Sequence, residues 1–105
     1  MKEITVLELK MKMDNKEKFQ LIDVREPHEY EIANIGGDLI PLGSILNQSD
    51  KISREKEVII YCRSGSRSGA AIQALEKQFG YANLYNLKGG ILAYAKEIDN
   101  SLPVF

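Results

Sequence analysis

The sequence is poor in the residues that bind metals or form disulfides, with one cysteine and one histidine among its 105 residues. A single cysteine excludes an intramolecular disulfide, and with one histidine beside it a conventional structural zinc site is not expected. A lone free thiol is typical of a reducing compartment. The chain also has no apolar signal-peptide core at its start and no apolar run long enough to cross a bilayer. We therefore expect a cytoplasmic protein without a bound metal or other cofactor.

An excess of charge is also missing, because 14 Lys and Arg against 15 Asp and Glu give a net charge of −1. A near-neutral surface has no general attraction for nucleic acid or an anionic membrane, so neither is expected as a partner. The length and an apolar share of 44% suit one soluble domain, which we assign to residues 1–105. Any affinity for anions must be local, and Arg63 and Arg67 are where we expect it.

Short apolar, β-branched runs alternate along the chain with segments of helical spacing. Strands are predicted over residues 2–4, 19–24, 39–42, 58–61 and 83–87, and helices over residues 6–13, 27–32, 67–79 and 91–98, with a further turn over 43–46. Thr5 and Glu8 have the spacing of a capping box, and Gly80 is a candidate C-cap. This alternation predicts an α/β fold, namely a three-layer α/β/α arrangement with a central, mainly parallel sheet of about five short strands.

Cys62 stands where the most apolar of these strands ends, and a loop of small and basic residues leads from it into the next helix. The amides of residues 63–67 can curl round the sulfur as a nest, with the positive end of the helix dipole behind them. Those amides, together with Arg63 and Arg67, favour thiolate over thiol. Gly65 permits the tight turn. The pattern predicts a nucleophile of lowered pKa at the bottom of a small anion-binding bowl.

Three serines of the same segment, Ser64, Ser66 and Ser68, add hydroxyl donors, and Ser66 or Ser68 is a candidate cap for the helix. Two other interpretations of the segment stay open. A lone cysteine at the end of a buried strand is most often a small apolar residue without chemistry. Alternatively, the loop is a nest that binds a phosphate and gives Cys62 no role.

Four segments, in their order along the chain, resemble the signatures of the single-domain rhodaneses. They are residues 21–30 (LIDVREPHEY), 40–42 (IPL), 62–68 (CRSGSRS) and 87–90 (LKGG), and the resemblance extends over residues 19–105. Residues 36–42, 90–95 and 102–104 are most similar to rhodanese domains fused to ubiquitin-activating-like enzymes, which serve molybdopterin or thiamine biosynthesis.

The resemblance implies a sulfurtransferase that works through a persulfide on Cys62. Cys62 is then expected to attack the outer sulfur of an anionic donor such as thiosulfate. A thiophilic acceptor, such as cyanide, a thiol or a partner's thiocarboxylate, would remove that sulfur in a second step, which gives ping-pong kinetics. The amides of residues 63–67 would stabilise the persulfide anion, Arg63 would recruit the donor, and Arg67 would brace the loop. An alternative is a relay module that takes sulfur from a desulfurase and docks a sulfur-carrier protein without turning over thiosulfate.

Loop length separates sulfur transfer from a third interpretation, a cysteine-based phosphatase or arsenate reductase. Tyrosine-type phosphatases place five residues between the cysteine and the arginine, which wraps the loop round a tetrahedral phosphate. Cys62 and Arg67 enclose four. A bowl one residue shorter is sized for a single sulfur, so sulfur transfer is favoured.

Asp23 and Arg25 are candidates for a supporting role, because Asp23 lies near the carboxyl end of a predicted strand, where open α/β sheets place their ligand sites. We expect Arg25 to pair with Glu26 or Glu29 and so to stiffen the loop. His28, the single histidine, is expected at the exposed surface, without a role as a general base.

Overall fold

The structure, a computed structural model, describes residues 1–104 of the chain. The strands are β1 Glu3–Ile4, β2 Phe19–Asp23, β3 Asp38–Leu39, β4 Glu57–Tyr61 and β5 Leu84–Leu87, and the helices are α1 Val6–Asp14, α2 Pro27–Ile32, α3 Ser66–Phe79 and α4 Gly90–Glu97. Two short 3-10 turns, Leu42–Ser44 and Ser49–Lys51, lie between β3 and β4. Every predicted strand and helix is present, and every boundary except the end of β3 lies within one residue of its predicted place. No helix in residues 1–104 has the length and apolar character needed to span a membrane.

The five strands form one parallel sheet in the order β1–β5–β4–β2–β3. β4 lies at its centre, with Ile60 beside Ile22 of β2 and beside Asn86 of β5. The predicted α/β fold with a parallel sheet is therefore confirmed. Because the strands are parallel, their carboxyl ends share one edge, and the residues after β2, β4 and β5 meet there around Cys62.

The side chains of β4 alternate between two apolar cores, one on each face of the sheet. Val58 and Ile60 pack in the core that contains the buried face of α3, whereas Ile59 and Tyr61 pack in the core that contains buried residues of α1 and α4. All four are fully buried, and burial of one isoleucine or valine contributes about 1.5–3 kcal/mol of transfer free energy. Helices cover both faces of the sheet, so the three-layer arrangement is confirmed.

The capping signals seen in the sequence are confirmed in the structure. The amide of Glu8 donates to Thr5 Oγ1 at 3.1 Å, and the amide of Thr5 donates to Glu8 Oε1 at 3.0 Å, which completes the capping box of α1. Gly80 ends α3 in the left-handed conformation, with φ of 68°. Local sequence signals alone therefore define where these two helix ends lie.

β3 is shorter than the strand predicted over residues 39–42. Pro41 has no amide N–H to add to the ladder, so the regular pairing stops at Leu39. The chain nevertheless continues beside β2, because the amide of Leu42 donates to the carbonyl oxygen of Val24 at 3.0 Å. This contact secures the segment that follows β2, which includes the supporting candidate Arg25.

Candidate active site

Cys62 follows the last residue of β4, and only 1% of its surface is exposed. Its Sγ accepts hydrogen bonds from the amide of Gly65 at 3.1 Å and from the amide of Ser68 at 3.4 Å. The amide of Ser64 is a further donor, and the Ser68 hydroxyl lies 3.3 Å from the same sulfur. Amides therefore converge on the sulfur as the sequence pattern predicted, and those of residues 64, 65 and 68 are donors to it.

These donors decide the ionisation of the thiol. Burial by itself raises the pKa of Cys62, because it removes water from around the charged form. Hydrogen bonds from the Ser68 hydroxyl and from the amides of Ser68, Gly65 and Ser64 act in the opposite direction. Their combined effect is larger, so the pKa of Cys62 lies below its ordinary value. The environment accordingly favours the thiolate, which is the nucleophilic form of cysteine.

The prediction that Ser66 or Ser68 caps α3 is wrong. Gly65 occupies the N-cap position in the left-handed conformation, with φ of 112°, and no side chain caps this end. A residue with a Cβ is strained at such an angle, which explains the glycine. Ser68 lies within the first turn instead, where its buried hydroxyl faces the sulfur.

The start of α4 holds the other side of the loop, a role that sequence analysis missed. The amides of Ile91 and Leu92 donate to the carbonyl oxygens of Cys62 at 2.9 Å and of Arg63 at 3.1 Å. Gly90 makes this approach feasible, since a Cβ at that position would overlap both carbonyl groups. The available signal was the pair Gly89–Gly90 in the LKGG segment at the start of α4, which gave no indication of its contact with the loop.

Arg67 forms a bidentate ion pair with Glu29 of α2. Its Nη1 and Nη2 donate to Oε1 and Oε2 at 2.7 and 2.9 Å, and the amide of Glu26 donates to Oε1 at 3.1 Å. Hydrogen bonding from Arg67 lowers the pKa of Glu29 from its ordinary value of 4.5 to about 2, against a smaller effect of burial that raises it. The pair ties the start of α3 to α2, which is the kind of contact that the bracing role expected for Arg67 requires.

Arg25 does not pair with Glu26 or Glu29, so that prediction is wrong. Its Nη2 donates to Asp23 Oδ2 at 2.9 Å and to the carbonyl oxygen of Ala33 at 2.7 Å. Asp23 is fully buried and Arg25 is 3% exposed. Glu29 is not available to Arg25 because it is already bound by Arg67. Asp23 is the partner of Arg25 instead, since its buried carboxylate needs a counter-charge. The pair stiffens the end of β2 beside Cys62.

The outer side of the loop is open to solvent, since Arg63, Ser64 and Ser66 are exposed. A cavity of about 150 Å³ adjoins Arg63, and its wall also contains His28 and the apolar residues Ile32, Ala33, Pro103 and Val104. His28 is exposed, as predicted. A larger cavity of about 560 Å³ lies elsewhere, between β2 and the second 3-10 turn, and Cys62 does not line it.

Asn86 of β5 is a second residue that sequence analysis missed. Its Oδ1 accepts a hydrogen bond from the Ser68 hydroxyl at 2.6 Å, and its Nδ2 donates to the carbonyl oxygen of Gly65 at 3.0 Å. Both contacts are made to the segment that surrounds Cys62. The signal for it was a polar side chain inside an apolar predicted strand, at the edge where the strands end.

The chain was compared with known protein families, proteins and structures. The protein-family model described as "Rhodanese-like domain" matches residues 5–97. The chain is 36% identical to a sulfurtransferase from Allochromatium vinosum, over 97% of this chain and 92% of that protein. It superposes on a rhodanese-like domain protein from Staphylococcus aureus with a TM-score of 0.83 and 29% identity, which covers 100% of this chain and 99% of that one.

Other relatives are much longer than this chain. It is 36% identical to the probable adenylyltransferase/sulfurtransferase MoeZ of Mycobacterium tuberculosis, over 97% of this chain but only 26% of that protein. The similarity therefore concerns one part of MoeZ, and the activity of the whole protein does not transfer with it.

Proposed function

The chain belongs to the rhodanese-like domain family, and on that premise we propose that it is a sulfurtransferase that carries sulfur as a persulfide on Cys62. Within this proposal residues 1–105 act as one rhodanese-like domain. The observation that carries the proposal is the convergence of the Gly65 and Ser68 amides and the Ser68 hydroxyl on Cys62 Sγ, at 3.1 to 3.4 Å. This arrangement supports a thiolate and supplies donors for a sulfur anion.

In the first half-reaction the Cys62 thiolate attacks the outer sulfur of thiosulfate. A bond forms between Sγ and that sulfur, the S–S bond of thiosulfate breaks, and its electron pair leaves on sulfite. The negative charge of the enzyme moves to the outer sulfur of the persulfide, where exposed groups of residues 63–66 stabilise it as fixed dipoles stabilise an oxyanion. Arg63 attracts the anionic donor, and the Arg67–Glu29 and Arg25–Asp23 pairs hold the loop in shape.

In the second half-reaction a thiophilic acceptor attacks the outer sulfur. The bond between that sulfur and Sγ breaks, and its electron pair returns to Cys62 as the thiolate. No proton is transferred in either step when donor and acceptor are anions. The mechanism therefore needs no general base, which agrees with the exposed position of His28.

A second form of the proposal is a sulfur relay that takes its sulfur from a protein persulfide. The similarity to MoeZ favours it, because MoeZ joins this kind of domain to an adenylyltransferase in one chain. Weak turnover of thiosulfate with cyanide, combined with fast transfer from the persulfide of a desulfurase, would identify the relay form.

Persulfide trapping followed by mass spectrometry of the intact protein tests both forms. After treatment with thiosulfate or a protein persulfide, the wild-type chain should gain one sulfur, about 32 Da. Cys62→Ser should gain none, and treatment with cyanide should remove the added mass. A wild-type protein that stays unmodified by both donors, or a mass gain that survives in Cys62→Ser, would falsify the proposal.

A further inference from the structure

The Ser68 hydroxyl lies between two groups that compete for its proton. It donates to Asn86 Oδ1 at 2.6 Å, while its oxygen lies 3.3 Å from Cys62 Sγ. A serine hydroxyl has one proton to donate and two lone pairs that accept. When Cys62 is a neutral thiol, all three groups are satisfied, because S–H donates to Ser68 Oγ and Ser68 donates to Asn86. When Cys62 is a thiolate, the sulfur can only accept, and the chain of hydrogen bonds must change.

The orientation of Asn86 is fixed by a third contact. Its Nδ2 donates to the carbonyl oxygen of Gly65 at 3.0 Å, so Oδ1 is the atom that faces Ser68. Ser68 is fully buried and Asn86 is 6% exposed. A buried acceptor that loses its donor is left unsatisfied at a cost in free energy. Asn86 therefore opposes any movement of the Ser68 proton toward the sulfur.

We propose that Ser68 and Asn86 form a switch in which the Ser68 hydroxyl donates to Asn86 when Sγ is uncharged and rotates to donate to Sγ when it is charged. Ser68 is the catalytic residue of the switch, since it touches the reacting sulfur, and Asn86 is a positioning residue that acts through it. The proton stays on Ser68 throughout, so no bond to hydrogen is broken in the sulfur-transfer steps. The catalytic use of the switch rests on the proposed persulfide cycle.

The cycle changes the charge of Sγ twice. Formation of the persulfide removes the charge from Sγ, which lets Ser68 return to Asn86. Attack of the acceptor restores the charge as the S–S bond breaks, and rotation of Ser68 then stabilises the departing thiolate. A hydrogen bond to a charged group is stronger than one between neutral groups, so the gain arises where charge develops.

Charged groups on the loop and on the segments packed against it must be kept constant in any test. They lie on the loop, at the ends of β2 and β5, and at the chain start, whose Met1 side chain lies against Asn86 and Gly69. The groups are Arg63, Arg67, Asp23, Arg25, Lys88 and the Met1 amino group. Ser68→Ala and Asn86→Leu leave all of them unchanged, so a shift in the thiol pKa reports on hydrogen bonding.

The test is a double-mutant cycle on the pKa of Cys62, measured by the ultraviolet absorbance of the thiolate against pH. Ser68→Ala should raise the pKa by about one unit, because a charge-assisted hydrogen bond is lost. Asn86→Leu removes the competing acceptor, but it also removes the donor to Gly65. The cycle separates these effects, since only the first depends on Ser68. When Ser68 is present, Asn86→Leu should change the pKa of Cys62 by about half a unit more in the downward direction than it does in the Ser68→Ala background.

Circular dichroism and thermal unfolding show whether each variant is folded. If Asn86→Leu does not fold, the smaller Asn86→Ala replaces it with the same expected sign, because it also removes the competing acceptor and adds no charge. Ser49→Ala is the control, because Ser49 lies in the second 3-10 turn, far from Cys62. That turn packs near the start of β2, where the carbonyl oxygen of Lys51 accepts a hydrogen bond from Gln20. It should leave the pKa unchanged.

Equal shifts from the Asn86 substitution in both backgrounds, or an unchanged pKa in Ser68→Ala, would overturn the switch. Neither measurement requires a sulfur donor, so the result is independent of persulfide trapping. A positive cycle in a protein that forms no persulfide would retain the switch and reject the proposed function. With persulfide formation established, Ser68→Ala should slow the second half-reaction, in which the Cys62 thiolate departs, about tenfold in single-turnover experiments.

Discussion

Arg67 at the start of α3 and Glu29 on α2 are joined by two parallel hydrogen bonds, of 2.7 and 2.9 Å. Glu29 also accepts the amide of Glu26, so one carboxylate serves both as a helix cap and as the partner of the loop arginine. A bidentate pair fixes the guanidinium in direction as well as distance. The start of α3, and with it the Ser68 amide beneath Cys62, is thereby tied to the helix that follows β2.

Glu29→Gln should make the free energy of unfolding less sensitive to low pH. The folded-state pKa of Glu29 is depressed to about 2, against an ordinary value of 4.5. The stabilisation is therefore fully present above pH 4.5 and is lost as the pH falls from 4.5 toward 2. Because the pair is partly exposed, we expect it to contribute about 1 kcal/mol. Urea unfolding of wild type and variant across this range should converge at low pH.

The glutamine keeps the oxygen that caps α2, so the comparison isolates the charge. Glu31→Gln on the same helix is the matched control, since Glu31 is exposed. A Glu29→Gln protein whose stability falls as steeply in acid as that of wild type would contradict the assignment.

Arg25→Leu should destabilise the fold far more than the loss of a surface ion pair. It leaves the Asp23 carboxylate buried without a counter-charge, which costs about 3–5 kcal/mol. The double change Asp23→Leu with Arg25→Leu should recover part of this loss, because no buried charge remains. Lys10→Ala, which breaks the exposed Lys10–Asp14 pair of 2.6 Å, should have little effect, because solvent screens a surface ion pair. Chemical unfolding measures all three, and a double variant no more stable than Arg25→Leu would reject the explanation.

The contrast between these pairs shows what the sequence could and could not predict. The parallel sheet follows from the alternation of apolar runs and helical segments, which are properties of neighbouring residues. The partner of Arg25 does not, because Asp23, Glu26 and Glu29 all lie within four residues of it. The burial of Asp23 and the ion pair between Arg67 and Glu29 decide which carboxylate binds Arg25, and both depend on the assembled fold.

The same reasoning applies to the surroundings of Cys62. The amide nest could be predicted because its donors follow the cysteine directly in the chain. Asn86 contacts Ser68 only because β5 lies next to β4 in the sheet. Sequence spacing carries no such information about strand order, so a contact across eighteen residues could not be found in advance.

Gly90→Ala should damage the loop more than its distance in sequence suggests. Its backbone has φ of 61°, and an added Cβ would overlap the carbonyl groups of Cys62 and Arg63. We expect a loss of about 2 kcal/mol or more in stability and at least a roughly tenfold lower rate of persulfide formation. Gly43→Ala is the control, because an added Cβ there meets nothing within 4 Å. Comparable rates in the two variants would show that contact with α4 does not shape the loop.

Arg63→Ala should weaken donor capture rather than chemistry. Arg63 is exposed on the open side of the loop, so its charge can attract a dianion without touching the sulfur of Cys62. We expect KM for thiosulfate to rise about tenfold with little change in kcat. The wild-type KM should also rise with salt, and the variant should be less sensitive. Lys56→Ala, an exposed cation that precedes β4, serves as control, and an equal salt response of wild type and Arg63→Ala would exclude the recruiting role.

The wild-type chain should not hydrolyse an aryl phosphate through Cys62. A phosphoryl group needs a loop arginine and several amides directed at its oxygens, and here those groups are already engaged. Arg67 is bound at both nitrogens by Glu29, and the Gly65 and Ser68 amides point at Sγ itself. Aryl phosphate assays of wild type and Cys62→Ser should therefore agree within error. Hydrolysis that disappears in Cys62→Ser would mean that the Arg67–Glu29 pair opens in solution, and Glu29→Gln, which releases Arg67, would then raise that activity further.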